Sequence, residues 1–349
     1  MSDLSRIEAE LSKLTRDLGE FLLLPPCDRS TPGFAKIWRP ISRYRVALRT
    51  ALRERGSALA NPGANRGSGT EIERQMAFNA ASRRLRLWSR IEDMVNKQIM
   101  PDRRSLMPPE EEFMSGAHNH YVNHLYSALH TLALPSAEAL KIRIADAHPD
   151  IALPATHFEA LMNAAFRICR AQRREQPPRF LDVGCGGGTK VFAALPFFKE
   201  SHGLENNPSQ AAVAAAVLER LDAPRAKVIE GDARAFAEYS DYDVIYFFRP
   251  IKDPDGLRDM EDRIMAQARP GTILIAPYNG FSAERDDMRC SMIVPTMYVV
   301  GMGPTQVETL RQRAELIGTE VPAHDAELDA SLGYWRPVVA ASSQNGYAL

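Results

Sequence analysis

The chain has 349 residues, of which 45% are hydrophobic and 25% are charged. This composition is typical of a globular protein with a full core and excludes a disordered or fibrous chain. No apolar run approaches the roughly 20 residues that a helix needs to span a bilayer, so we expect no membrane segment. The four cysteines are far apart and form no Cys-x-x-Cys pair. Their spacing argues against a disulfide framework or a cysteine zinc site and favours a reduced, cytoplasmic setting.

The first residues carry a hydrophobic stripe with alternating spacings of three and four. The stripe predicts a helix over residues 2–24 that docks on the rest of the protein, with a dimerising coiled coil through residues 4–21 as the alternative. Its members are Leu4, Ile7, Leu11, Leu14, Leu18 and Phe21.

More helices are predicted up to Gln176-Pro177-Pro178, where a boundary is expected. The sequence therefore predicts an all-helical accessory or lid region over residues 1–176 and a second domain over 177–349. The helices of the first region are predicted over 34–60 with an interruption near Pro40, over 71–100, 113–133, 136–148 and 155–174.

A basic surplus lies in residues 33–104, which contain 16 Lys and Arg against 6 Asp and Glu. A solvated or ion-paired helix face is the favoured interpretation of these arginines. Contact with an anionic partner is the alternative, because arginine suits bidentate phosphate or carboxylate contacts. A nucleic acid is one such partner but is not favoured.

Four histidines lie within the predicted helix over 113–133. Two of them, His120 and His124, are four residues apart and share a helical face, which is a spacing that metal ligands use. The segment lacks the glutamate of a His-Glu-x-x-His motif, so no metal is predicted. Either histidine would serve as a proton acceptor if it faced an acceptor cleft.

The segment Phe180-Leu181-Asp182-Val183-Gly184-Cys185-Gly186-Gly187-Gly188-Thr189 places an apolar run before four glycines within five residues. This pattern predicts a buried strand that ends in a tight turn against a ligand, followed by a helix. Free N–H groups at the start of that helix are expected to face the ligand.

Apolar segments after this turn recur at the interval of strand–helix–strand units. Together they predict a doubly wound, mostly parallel α/β sheet. The predicted strands cover 201–205, 227–230, 243–248 and 272–276, with closing antiparallel strands over 292–294 and 297–300 and a last strand over 334–339.

The pattern Asp182-x-Gly184-x-Gly186-x-Gly188 resembles the glycine motif of class I S-adenosylmethionine (SAM) dependent methyltransferases. The resemblance covers roughly residues 178–280. It implies SAM as the cofactor, Glu205 as the acceptor of hydrogen bonds from the ribose hydroxyls, and Gly231-Asp232-Ala233 as the turn that contacts adenine. The implied cofactor-binding residues are Asp182, Gly184, Cys185, Gly186, Gly188, Glu205, Asn206, Asp232, Ala233 and Phe248.

The methyl acceptor is expected beyond the carboxyl ends of the first and fourth strands, where open α/β sheets bind ligands. Phe248 and Arg249 follow the fourth strand, and Tyr278 follows the fifth. Arg249 suggests an acceptor with a carboxylate or phosphate, with a structural salt bridge as the alternative. The candidate catalytic residues are Phe248, Arg249, Tyr278, His120 and His124.

Two other functions stay open at this stage. One is a scaffolding protein that binds SAM without turnover. The other is a nicotinamide-dependent oxidoreductase, whose fingerprint would need Gly or Ala at position 189, where this chain has Thr189. Methylation of exocyclic base amines is disfavoured, because Phe-Phe-Arg-Pro follows the fourth strand in place of Asn/Asp-Pro-Pro-Tyr/Phe.

Overall fold

The computed structural model describes residues 3–60, 69–132, 153–174, 176–278, 281, 289–321 and 326–349. The chain forms two compact units, one of Met1–Arg103 with Leu316–Leu349 and one of Arg104–Glu315. The units divide after Arg103 and after Glu315, whereas the sequence predicted one boundary between residues 176 and 177. The helices after Arg104 belong with the sheet, and the carboxyl-terminal segment belongs with the first helices. A lid role for the helical unit stays a prediction.

The described elements of the first unit are all helical. They are α1 (Asp3–Leu22), α2 (Thr31–Ala60), α3 (Gly69–Arg86), α4 (Trp88–Ile99), and, from the carboxyl-terminal segment, α12 (Ala326–Leu332) and α13 (Arg336–Gln344).

The hydrophobic stripe of α1 lies inside this unit. Leu11 and Leu18 are fully buried, and Ile7 and Leu14 pack against the same core cluster. The helix packs against α2 and α13. The docked-helix prediction is confirmed. The helix's own chain already covers the stripe, and a homodimer through residues 4–21 stays a prediction.

Three predicted boundaries in this unit differ from the structure. Helix α2 runs from Thr31 to Ala60 with Pro40 inside it. The helix predicted over 71–100 is two helices that meet at Leu87. The last strand, predicted over 334–339, is a 3-10 turn (Gly333–Trp335) that leads into α13. There the Trp335 ring packs edge-on at 4.8 Å against Trp88, so its burial stabilises a helical core.

Several arginines of the basic segment are held within this unit. Arg45 pairs with Glu92 at 2.9 Å, and Arg84 pairs with Glu8. Arg84 also lies over the Tyr334 ring at 5.8 Å. These contacts agree with the interpretation of an ion-paired helix face.

The second unit places helices around a seven-stranded sheet. Its helices are α5 (Glu110–Met114), α6 (Ala117–Leu132), α7 (Ala155–Ala171), α8 (Thr189–Ala194), α9 (Pro208–Arg220), α10 (Pro254–Gln267) and α11 (Pro304–Ala314). Its strands are β1 (Arg179–Val183), β2 (Glu200–Glu205), β3 (Ala226–Glu230), β4 (Val244–Phe247), β5 (Ile273–Ile275), β6 (Cys290–Val294) and β7 (Met297–Val300). The helix predicted over 136–148 lies outside the described residues.

The strand order is β3-β2-β1-β4-β5-β7-β6. The first five strands pair in parallel, and β7 is antiparallel to both β5 and β6. The predicted doubly wound, mostly parallel sheet with a closing antiparallel pair is therefore confirmed.

The two faces of the sheet are covered by different helices. Phe158 of α7 contacts the Phe180 and Tyr246 rings at 6.2 and 5.3 Å. Met260 and Ile264 of α10 belong to the core cluster on β1 and β4. Burial on both faces explains why these strands are continuously apolar in sequence. Among the described helices, none is both long and apolar enough to cross a membrane.

Candidate active site

The sheet changes direction between β1 and β4. From β1 the chain proceeds to β2 and β3 on one side, and from β4 it proceeds to β5 on the other. A crevice at such a switch point is where open α/β sheets bind ligands. The two strand ends are close together here, since a Cβ added to Gly184 would lie 2.5 Å from Pro250 Cβ.

The glycine turn after β1 needs glycine at three positions. Gly184, Gly186 and Gly188 have φ angles of 77°, 53° and 75°, a region that side chains disfavour. The turn is tied to β2, because the N–H groups of Gly184 and Cys185 both donate to the Leu204 carbonyl at 2.8 and 3.1 Å. The N–H groups of Gly184, Cys185, Gly186 and Gly188 are used within the protein, so the free N–H groups expected to face a ligand stay a prediction for the first turn of α8.

Cys185 contacts this turn with its thiol as well, since its Sγ lies 3.9 Å from the Gly186 carbonyl oxygen. Its side chain is buried and packs with Val191 and Leu218. A Cβ on Gly203 would lie 2.5 Å from the Cys185 sulfur, so this side chain fills the space beside β2. The thiol is therefore a packing group beside β2, and a cofactor contact of Cys185 stays a prediction.

Glu205 ends β2 and holds the glycine turn. Its Oε2 accepts from the Gly186 N–H at 3.0 Å, and its Oε1 accepts from the Asn207 N–H at 2.8 Å. The residue is 9% exposed. A carboxylate offers about four lone-pair positions, more than these two N–H groups occupy. The adjacent Asn206 is exposed.

Asp182 lies on β1 two residues before the first glycine and is 1% exposed. Its Cα is in register with Gly203 of β2 and with Tyr246 of β4. Asp182 is thus a buried acid on a central strand, just before the turn begins.

The turn after β3 holds Asp232 and Ala233. Arg234 donates to both oxygens of Asp232, from its Nη2 at 2.7 Å and from its backbone N–H at 2.9 Å. These hydrogen bonds lower the pKa of the Asp232 carboxyl. Ala233 is buried, and its carbonyl accepts from the Tyr239 hydroxyl at 2.8 Å. Sequence reasoning did not anticipate that Arg234 would compete for Asp232.

The far side of the crevice carries two strained residues. Arg249 follows β4 with a φ of 43°, and Tyr278 follows β5 with a φ of 54°. Left-handed backbone at non-glycine residues costs about 1–3 kcal/mol each and is concentrated at functional sites. Nη2 of Arg249 donates to the Tyr278 carbonyl at 3.3 Å, and the Phe248 and Tyr278 rings are 5.6 Å apart. The structure therefore brings the three predicted acceptor-side residues together.

Arg249 makes no salt bridge with any described residue. The described contact of its guanidinium is with a backbone carbonyl. Its side chain is exposed, and a guanidinium has five N–H donors with which to hold an anionic group.

The structure adds His157 and Phe113 to the Tyr278 side of the crevice. The His157 ring meets Tyr278 edge-on at 5.9 Å and stacks on Phe113 at 5.1 Å. Burial lowers the pKa of His157, while the charge of Glu110 acts in the opposite direction. Sequence reasoning missed this histidine because it stands alone in the first turn of α7, whereas the cluster on α6 has helical spacing.

Among the described residues, no ring contact or hydrogen bond joins His120 or His124 to Phe248, Arg249 or Tyr278. Both are exposed, their rings are 4.1 Å apart, and Nδ1 of His124 lies 2.9 Å from the His120 carbonyl oxygen. Among the described residues no group of three or more ligand side chains is placed to hold a metal. We find no support for either histidine as the base.

A cavity of about 1000 Å³ opens at the other end of the sheet. It is lined by residues at the amino ends of β1, β4 and β5, including Arg174, Asp243 and Arg269. Asp243 pairs with both of these arginines. These ion pairs stabilise the amino ends of the strands. The cavity is separate from the glycine turn, because that turn follows the carboxyl end of β1.

Comparison with known proteins gives distant structural similarity only. No protein-family model matches the sequence, and no curated protein matches it. The chain is similar to the aminopentose methyltransferase CalS10 of Micromonospora echinaspora, solved with SAM, at 24% identity over 41% of this chain and 63% of that one, with a TM-score of 0.29.

Two further solved structures carry S-adenosylhomocysteine (SAH). One is an RNA methyltransferase of Salinibacter ruber, at 19% identity over 35% of this chain and 77% of that one, with a TM-score of 0.27. The other is a SAM-dependent methyltransferase of Thiobacillus denitrificans, at 20% identity over 41% and 55%, with a TM-score of 0.29. The chain spans less than two thirds of CalS10 and of the Thiobacillus protein. By its strand order and antiparallel closing pair, the Arg104–Glu315 unit has the doubly wound fold of class I SAM-dependent methyltransferases.

Proposed function

We propose that the Arg104–Glu315 unit binds SAM at the carboxyl ends of β1, β2 and β3 and transfers its methyl group to an acceptor beyond β4. The observation that carries this proposal is the Glu205 carboxylate, which ends β2 and at the same time holds the Gly186 N–H. One buried acid thus fixes the turn and faces the place where a nucleoside sugar would lie.

Each residue of the crevice has a separable task in binding. The glycine turn leaves the space that a Cβ at Gly184 would fill. The Glu205 carboxylate at the end of β2 would accept from the two ribose hydroxyls. Asp232 would accept from the adenine amino group only when the Arg234 side chain, which is 42% exposed, has turned away.

When bound, SAM supplies a methyl group on a cationic sulfonium, which reacts by in-line displacement. The task of the protein is then to hold an acceptor lone pair in line, and positioning of this kind can supply about 7–11 kcal/mol of a reaction barrier. Phe248 and Tyr278 would flank the acceptor, and Arg249 would hold an acidic group on it. This arrangement supports a small anionic acceptor.

Two alternatives are distinguished by the same residues. A scaffolding protein without turnover would bind SAM and have no need of the strained Arg249 and Tyr278. A nicotinamide-dependent oxidoreductase would bind NAD through the same turn, where Thr189 is less suited than glycine or alanine.

Ligand binding to the full chain tests the proposal. We expect SAM and SAH to raise the melting temperature, because a ligand at 100 times its dissociation constant stabilises the folded state by about 2.7 kcal/mol. NAD at the same concentration should leave the melting temperature unchanged. Stabilisation by NAD without stabilisation by SAH would contradict the proposal.

A further inference from the structure

Four rings form a continuous wall on the acceptor side of the crevice. Phe248 contacts Tyr278 at 5.6 Å, Tyr278 contacts His157 at 5.9 Å, and His157 contacts Phe113 at 5.1 Å. The rings come from the ends of β4 and β5, from the first turn of α7, and from α5. We call these four residues the aromatic wall.

The aromatic wall borders open space. Tyr278 is 57% exposed, and Phe248, His157 and Phe113 are partly exposed. Aromatic side chains that serve only the core would be buried, as Phe247 and Tyr246 are in the adjacent strand. Such a surface suits a planar ring, which gains from stacked or edge-on contacts with each wall member.

His157 is the wall's only ring that can take a proton at neutral pH. Among the described residues, neither of its ring nitrogens has a hydrogen-bond partner. In the described part of the chain, the charge that acts on it is that of Glu110 on α5, and the titratable ring that contacts it is Tyr278. Half-burial keeps the imidazole neutral, and a neutral imidazole has one basic nitrogen to offer.

We propose that the acceptor is an aromatic carboxylic acid with a ring hydroxyl or amino group, and that His157 is its general base. This proposal rests on the proposed function. The ring would pack on Phe248 and Tyr278, with its carboxylate on Arg249. The acceptor oxygen or nitrogen forms a bond to the methyl carbon while the carbon–sulfur bond breaks and its electron pair stays on sulfur. The acceptor proton passes to the free nitrogen of His157 and from there to water.

Transfer of labelled methyl from SAM to a panel of acids tests this substrate class. The panel contains 4-hydroxybenzoate, 3,4-dihydroxybenzoate and anthranilate, with lactate and serine as aliphatic members. We expect methylation of at least one aromatic member and of no aliphatic one. Equal methylation of aliphatic acids would overturn the assignment.

The role of His157 is tested with His157→Gln, with His118→Gln on the exposed surface of α6 as the matched control. General bases contribute roughly 10²–10⁴-fold, so kcat should fall at least about 100-fold while KM changes little. Because kcat requires the neutral imidazole, it should rise with pH through the His157 pKa, which burial lowers from its ordinary value. That acid limb should vanish in His157→Gln, and an unchanged kcat and pH profile would overturn the role.

Two binding measurements separate this inference from the proposed function. Calorimetry with SAH, on the wild type and on His157→Gln, reports cofactor binding alone. If SAH does not bind the wild type, the proposed function fails. The acceptor assignment fails if SAH binds but none of the three aromatic acids is methylated and none shifts the His157 imidazole resonance in NMR spectra of the SAH complex.

Discussion

Replacing Glu205 by alanine should weaken SAH binding by about 1–3 kcal/mol, the cost of leaving buried hydrogen-bonding groups without their partner. Three groups lose their acceptor in this variant. The ribose hydroxyls lose their acceptor, and the Gly186 N–H, which now donates to Oε2 at 3.0 Å, loses the group that fixes the turn. The Asn207 N–H loses its partner as well.

The sheet offers a matched control for this substitution. Glu230 is the register partner of Glu205 on β3 and is exposed. Glu230→Ala removes the same carboxylate one strand away, and we expect it to leave SAH affinity unchanged. Glu205→Gln keeps the shape of the side chain and removes its charge. Its amide N–H₂ would face one of the two backbone N–H donors, so one of the two hydrogen bonds would be lost. Calorimetry that gives equal SAH affinity for folded Glu205→Ala and Glu230→Ala would refute the ribose assignment.

Replacing Gly184 by alanine should both destabilise the sheet unit and abolish tight SAH binding. A Cβ at a φ of 77° costs about 1–3 kcal/mol. The same Cβ would lie 2.5 Å from Pro250 Cβ, and overpacking of this kind typically costs about 1–3 kcal/mol more. Relief of the contact would separate the ends of β1 and β4 and so change the crevice.

Gly116→Ala isolates the backbone contribution. Gly116 has a φ of 96°, but nothing lies within 4 Å of a Cβ built on it. Thermal melts should therefore show a larger loss for Gly184→Ala than for Gly116→Ala, and only Gly184→Ala should lose SAH affinity. Equal melting temperatures and equal affinities would show that the approach of Gly184 to Pro250 has no role.

The sheet and the glycine turn could be predicted because their signals are local. Each parallel strand is a short apolar run between turn residues, and three of the motif glycines are needed for positive φ angles. The position of Glu205 followed from the length of one strand–helix–strand unit. All of these depend on residues close together in the sequence.

The parts that could not be predicted depend on contacts between distant residues. Tyr334–Val339 has the composition of a strand, but Trp335 packs on Trp88 in a helical core. His157 reaches Tyr278 only because α7 packs on the sheet, which places its first turn at the end of β5. The Arg234 side chain folds back onto Asp232, a choice of rotamer that no sequence pattern encodes.

A crystal structure of the full chain with SAH tests the central claim most directly. We predict the ribose hydroxyls within hydrogen-bonding distance of Glu205 and the sulfur directed towards Phe248 and Tyr278. SAH bound in the arginine-lined cavity at the opposite end of the sheet, or bound with its sugar remote from Glu205, would contradict methyl transfer at this crevice.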